Sequence, residues 1–132
     1  MPILEDGLES RDFVNVTDVA RAIRLSLEND EANGKILNVG SGKPTGILEV
    51  ANLLVKTFRS SSRPEITKQF RLGDIRHWYA DLSLVSDSLG LQPEVCLESG
   101  IARFVQSVKA QPLSKDRLNE ANKELRERKM MV

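Results

Sequence analysis

Apolar residues in this chain recur at helical spacing in four segments, joined by short extended runs and polar turns. Thr17 or Asp18 is placed to cap a first helix, with Val19, Ala20, Ile23 and Leu27 along one face. Thr45 is placed to cap a second, whose face reads Ile47, Val50, Ala51, Leu54, Val55 and Phe58. Asp81 would open a short helix ending at Leu89-Gly90, with Pro93 in the loop beyond. A further helix is predicted from about Leu97 to Val108, burying Ile101, Phe104, Val105 and Val108. Gly100 inside it costs about 1 kcal/mol relative to alanine, which predicts a packing reason for it. From Ser114 to Lys129 the residues favour helix, with a thin stripe of Leu118, Ala121 and Leu125.

The extended runs are brief. Phe13 and Val14 favour a strand within Arg11 to Val16, Ile36 to Val39 is a compact apolar strand, and Glu65 to Phe70 alternates weakly. Asp6-Gly7, Asn33-Gly34 and Gly40-Ser41-Gly42 are turn signals, and Arg59 to Pro64 is a polar loop. Strands separated by helices predict an α/β fold: a small mixed domain of short strands and about five helices. Three short strands make a thin sheet for helix faces this apolar, so the domain reads as part of something larger.

The chain has 132 residues, enough for one domain and a modest core. With 40% hydrophobic and 29% charged residues it is predicted to be soluble and globular. Basic and acidic residues number 19 each, so no field of either sign points to a nucleic-acid or membrane partner. No apolar stretch is long enough for a bilayer span. Cys96 stands alone, which excludes an internal disulfide and a cysteine-based metal site and makes a cytoplasmic location the expectation.

Gly40-Ser41-Gly42-Lys43-Pro44-Thr45 follows a strand and opens a helix, as a dinucleotide turn would. Thr45 stands at the third glycine position, however, and the acid nearest the place for a ribose contact is Glu65. Pro44 after Gly42-Lys43 also breaks the P-loop pattern. A plain strand-to-helix turn is the reading, with no cofactor held there. Arg71 to Asp81 is different. Two guanidiniums, one imidazole and a carboxylate share this loop with Gly73. Arginine gives a diphosphate paired, charge-assisted hydrogen bonds, and a nearby carboxylate can accept from the hydroxyls of a ribose. The alternative from composition alone is a surface salt-bridge cluster of little energetic weight. Arg11 could reach a phosphate or pair with Asp6 or Asp12. His77, the only histidine, has no catalytic partner identifiable in the sequence.

In order along the chain come Asp6-Gly7 with Arg11 to Ala20, then Leu37 to Gly42, Arg71 to His77 with Ala80-Asp81, Leu89-Gly90 to Pro93, and Leu97 to Ile101. This ordered set resembles the C-terminal third of the extended short-chain dehydrogenase/reductase family, the NAD-dependent nucleotide-sugar epimerases and dehydratases. The resemblance covers residues 2 to about 108. It implies a nucleotide-sugar (substrate) binding domain at 1–110 and a charged C-terminal helix at 111–132, as the C-terminal part of a Rossmann-type enzyme. It further implies that Arg11 and Arg71 hold the diphosphate of a nucleoside-diphosphate sugar and that Asp74 holds the ribose. In that family Ile36 to Val39 lies at the edge of the cofactor domain's sheet.

The family's glycine-rich cofactor turn and its Tyr-x-x-x-Lys pair have no counterpart in this sequence. The resemblance therefore implies no catalytic residue here, no cofactor bound by this chain alone, and NAD or NADP in the parent enzyme. The expected partner is a missing N-terminal cofactor domain, the chain being a truncated piece, a gene fragment or half of a split enzyme. A strand edge and apolar patch left bare by that absence predict a homo-oligomer. Two rival readings are a standalone nucleotide-sugar binding module and a helix-mediated interaction protein without enzymatic activity.

Overall fold

The computed structural model describes residues 1–112 and 115–131. Among the described residues, five helices and four two-residue strands make it α/β: β1 (Pro2–Ile3), β2 (Ser10–Arg11), α1 (Val16–Glu28), β3 (Thr45–Gly46), α2 (Ile47–Phe58), β4 (Glu65–Ile66), α3 (Ser83–Leu89), α4 (Leu97–Lys109) and α5 (Leu118–Glu127). A single 3-10 turn, Asp30–Ala32, follows α1, and Asn33 closes it. The strands form two separate pairs, β1 parallel to β4 and β2 antiparallel to β3.

Helix α1 starts earlier than its cap signals suggest. Asn15 is the N-cap, its Oδ1 accepting from the Thr17 amide (3.0 Å) and the Thr17 hydroxyl (2.7 Å). Asp18 is freed for another task. Buried to 4% exposure, its carboxylate accepts from the backbone amides of Glu94 (3.2 Å) and Val95 (3.1 Å). Arg21, one turn on, reaches the Glu94 carboxylate and the Gln92 carbonyl, so α1 fixes the loop that leads into α4.

The side that α1 buries carries Asp18 and Ala22, with Leu25 half-buried beside them. Ile23 (58% exposed) and Leu27 (83%) lie on the opposite side, together with Val16, so the face expected to be buried is open. A helix with apolar residues on both sides is built to be covered on both. Only one cover is present among the described residues.

Ile36 to Val39 forms no ladder, since among the described residues no neighbouring segment pairs with it. Its exposure still alternates as a strand's does: Ile36 is 91% exposed, while Leu37 and Val39 pack on the cluster of Ala22, Val85 and Leu91. The segment is extended and half-covered but unpaired.

The other strand expectations shift for local reasons. Phe13-Val14 is not a strand: in the antiparallel register the next residue after Arg11 would face Pro44, which has no amide hydrogen to give, and β3 begins only at Thr45. Thr45 is therefore a ladder residue and Gly46 the N-cap, with no side-chain cap. The run from Glu65 stops at Ile66, and Lys68 adopts a left-handed φ of 60° that no strand continues through. The predicted face of α2 packs against α4, with Val50 and Ala51 buried. On α4 only Val105 is fully buried, while Phe104 (53% exposed) and Val108 (37%) lie at its rim.

Gly100 does have a packing reason. A Cβ there would lie 3.3 Å from the Asn15 side-chain nitrogen Nδ2, so α4 approaches the cap of α1 closely. Asp81 accepts from the Ser83 amide (2.9 Å) and hydroxyl (2.7 Å), and Gly90 ends α3 in the left-handed region. On α5 Leu125 is half-buried while Leu118 and Ala121 are exposed. Ser114, the expected start of that segment, lies outside the described residues.

Candidate functional site

Strand β2 is the organising element. On one side it pairs with β3, Arg11 opposite Thr45. On the other, the loop after Asp74 runs parallel to it: the Ser10 amide donates to the Arg76 carbonyl (3.0 Å) and the Trp78 amide to the Ser10 carbonyl (3.2 Å). A Ser10 hydroxyl to His77 Nδ1 contact of 2.9 Å adds to this seam. His77 is thus engaged in holding the loop, a structural use that needs no catalytic partner.

The seam sets Arg11. Its Nη1 donates to the carbonyls of Ser10 (2.9 Å) and Arg76 (3.0 Å), and its Nη2 to Asp74 Oδ1 at 2.7 Å. Two residues 63 apart in sequence are brought into one charge-assisted pair, with the side chains 25% and 40% exposed. Arg71 belongs to the same turn, its carbonyl accepting from the Asp74 amide (3.2 Å), with Gly73 at φ 82° providing the reversal. Arg11 and Asp74 therefore meet side chain to side chain, while Arg71 joins them through the backbone. Arg76 turns the other way, to Glu5 (3.0 Å) and Asp6 (2.6 Å). The Arg76 guanidinium beside Asp6 holds that exposed carboxyl below its ordinary range.

Sequence reasoning passed over the residue that fixes this corner to the rest of the molecule. Asp12 accepts from the amides of Ser41 (2.6 Å), Gly42 (3.0 Å) and Ala80 (3.1 Å). Burial pushes its carboxyl up, but the hydrogen bonds from Ser41, Ala80 and Gly42 outweigh that and hold it below the usual carboxylate range. Gly40 has no room for a side chain, since a Cβ would stand 2.7 Å from the Ala80 Cβ and closer still to Asp12 Oδ2. The only signal in the sequence was an acid beside Arg11 and a glycine-rich turn with amides to satisfy.

This arrangement decides how the turn can be used. A dinucleotide phosphate needs free amides and no negative charge beside them. Here the Ser41 and Gly42 amides already donate to a carboxylate, so the residues present do not fit that group.

Two clefts are lined by none of Arg11, Arg71 and Asp74. An open apolar one of about 470 Å³ runs between the start of α1 and α4, lined by Phe13, Val16, Cys96, Gly100, Ile101 and Phe104 among others. A more polar one of about 730 Å³ lies by Ser41, Lys43, Tyr79, Asp81, Ser83 and Gln92.

Comparison with known proteins gives this geometry its context. The sequence model of the NAD dependent epimerase/dehydratase family matches residues 1–40, the part that carries β1, β2 and α1. A dTDP-L-rhamnose 4-epimerase of Burkholderia thailandensis is 36% identical over 104 residues, covering 79% of this chain and 28% of that protein. The chain belongs to the NAD-dependent epimerase/dehydratase family, the extended short-chain dehydrogenase/reductases. Among the curated relatives of this epimerase/dehydratase chain is also a UDP-glucose 4-epimerase of Mycolicibacterium smegmatis, 34% identical over 104 residues, 79% of the chain and 33% of the relative. The structure of UDP-glucose 4-epimerase from Thermotoga maritima with UDP-glucose superposes with a TM-score of 0.76 at 30% identity, covering 83% of this chain and 34% of that one. The epimerase/dehydratase chain thus spans about a third of the length of the relatives it matches. Among the described residues no helix is long and apolar enough to cross a membrane.

Proposed function

We propose that this chain supplies the nucleoside-diphosphate grip of a nucleotide-sugar epimerase or dehydratase, with Arg11 and Arg71 on the diphosphate and Asp74 on the ribose. The observation that carries the reading is the 2.7 Å pair between Arg11 and Asp74 in the turn that also holds Arg71. Carbonyls of Ser10 and Arg76 orient the Arg11 guanidinium before any ligand arrives, which lowers the ordering cost of binding. A diphosphate would add acceptors to that guanidinium and to Arg71, while the Asp74 carboxylate can take hydrogen bonds from vicinal hydroxyls. The UDP-glucose named with the Thermotoga maritima relative is a ligand of this chemical class.

Hydride transfer would belong to a nicotinamide and to a Tyr-x-x-x-Lys pair that this sequence does not contain, so no catalytic step is assigned to these residues. We assign NAD or NADP to the parent enzyme, its N-terminal cofactor domain and a cytoplasmic setting. The open side of α1 and the unpaired Ile36 to Val39 support a second cover of that kind.

Titration calorimetry with UDP and dTDP tests the grip. The expected dissociation constant is weak, on the order of 1 mM, since one face of a bound nucleotide would stay open to solvent. Arg71→Ala should weaken it about tenfold or more through loss of a charge-assisted contact. An unchanged affinity would remove Arg71 from the site. NAD and NADP should give no specific complex under the same conditions, and a micromolar one would return the Gly40 turn to consideration.

The chain by itself is also expected to self-associate through the exposed Val16, Ile23, Leu27 and Ile36 surface. Sedimentation velocity from about 10 μM to 1 mM should show a rising average mass. A monomer throughout, or the same association in a Leu27→Glu variant, would count against that surface.

A further inference from the structure

We propose that the C-terminal segment is a strap that sets the geometry of the Arg71 to Asp74 turn, with Met131 as its anchoring and positioning residue. The inference rests on the reading of that turn as a nucleotide contact, and it assigns a role to a part of the chain beyond residue 108, where the family resemblance ends. After α5, Lys129 adopts φ 55° and reverses the chain, so that the Met130 amide donates back to the Leu125 carbonyl (2.9 Å). The reversal brings residues 130 and 131 alongside the turn. There the Leu72 amide donates to the Met130 carbonyl at 2.9 Å, and Arg71 forms an antiparallel bridge with Met131. One turn back along α5, Arg126 Nη2 donates to the Gln69 side-chain oxygen at 3.3 Å.

Burial identifies the anchor. Met131 is 6% exposed, whereas its neighbour Met130 is 45% exposed and Leu118, at the far end of α5, is 43% exposed. The helix itself contributes little apolar contact, so its place depends on the returning pair of residues. The turn is consequently pinned from two directions, by Arg11 on Asp74 and by the tail on Arg71 and Leu72. Arg71 to Tyr79 is exposed throughout, and such a stretch would otherwise sample many conformations. Holding Arg71 and Asp74 in one turn before ligand arrives reduces the conformational entropy lost on binding.

Amide hydrogen exchange and UDP titration on the full chain test this together. In Met131→Asp a charge cannot stay buried, and the tail should release. The Leu72 amide, which loses its acceptor, and the Asp74 amide, which closes the turn on Arg71, should both exchange about tenfold faster, with helix amides of α1 and α2 unchanged. The UDP dissociation constant should rise about fivefold, the equivalent of one ordinary hydrogen bond. Met131→Leu, which keeps the buried apolar volume, should restore both readouts, and Met131→Ala should fall between. Unchanged exchange at Leu72 in Met131→Asp overturns the strap. Faster exchange at Leu72 with Asp74 unaffected shows a tail that hangs on the turn without setting it, and overturns the positioning role. Released amides with unaltered UDP affinity do the same. If the wild-type chain binds no UDP at any concentration, the nucleotide reading falls, and the two amides alone decide whether the tail sets the turn.

Discussion

Asp12→Ala is expected to lower the stability of the chain by about 3 kcal/mol, because three backbone amides lose their acceptor at once. The amides of Ser41, Gly42 and Ala80 converge on one carboxylate and, among the described residues, on no other acceptor. Each is partly withdrawn from water, so its loss costs more than the net value of an exposed hydrogen bond. The effect also crosses the molecule, since Asp12 joins the chain after β2 to two segments far along the sequence. With a typical slope, the urea midpoint should fall by about 1.5–2 M. Asp12→Asn keeps an acceptor oxygen but introduces donors among amides that are themselves donors, so about half the loss should remain. A midpoint within about 0.3 M of wild type in Asp12→Ala would show that water replaces the carboxylate cheaply.

The same residue gives the chain a pH dependence with a definite sign. The Asp12 carboxyl titrates below its ordinary value in the folded state. Its unfolded value is about 3.9. A group depressed on folding contributes its full stabilisation above the unfolded value and loses it as pH falls through the folded one. Wild-type stability should therefore decline on acidification below about pH 4–5, and this decline should be shallower in Asp12→Ala. Asp6 and Asp81 are also depressed, but both are exposed, so their share should be small and sensitive to salt.

Helices were legible in the sequence where their apolar period was long. The α2 face from Ile47 to Phe58 and the Leu89-Gly90 end of α3 follow directly from residue pattern and left-handed glycine. The α1 pattern was legible too, yet it pointed to the wrong side: Ile23 and Leu27 look like a core face, and the chain instead buries Asp18 and Ala22. Period alone cannot rank two apolar faces, and a buried aspartate is not an apolar signal at all. Its partners are backbone amides of residues 94 and 95, which have no signature in a side-chain pattern.

Strands were the least legible, because a ladder requires a partner. Ile36 to Val39 has the composition and alternation of a strand without the second strand that would make it one. For the candidate site, the residue types at 11, 71 and 74 were readable as chemistry, but their meeting was not. That depends on Gly73 reversing the chain and on residues 76 to 78 lying along β2, which are backbone events. The tail's return to Leu72 is of the same kind.

Gly40→Ala should cost roughly 2–3 kcal/mol, and its pairing with Asp12 can be measured directly. The position shows no positive φ, so alanine is not excluded by backbone conformation. Space excludes it. The added methyl would lie 2.7 Å from the Ala80 Cβ and closer to Asp12 Oδ2, a carboxylate oxygen held in place by the amides of Gly42 and Ala80. A flexible side-chain end could swing aside at little cost, but this one can move only by giving up those bonds. The two substitutions should therefore be non-additive. In Asp12→Ala the carboxylate obstruction is gone and the bonds that would be broken no longer exist, so Gly40→Ala in that background should cost about 1 kcal/mol less than in wild type. The Ala80 contact remains, which is why some cost should persist. Urea denaturation of wild type, the two single variants and the double variant closes the cycle. Strict additivity would mean that the methyl is accommodated by a backbone shift away from Asp12, and that the turn is less tightly held than the three amide contacts imply. A coupling near the full cost of Gly40→Ala would mean that Ala80 yields freely and the carboxylate alone reserves this position for glycine.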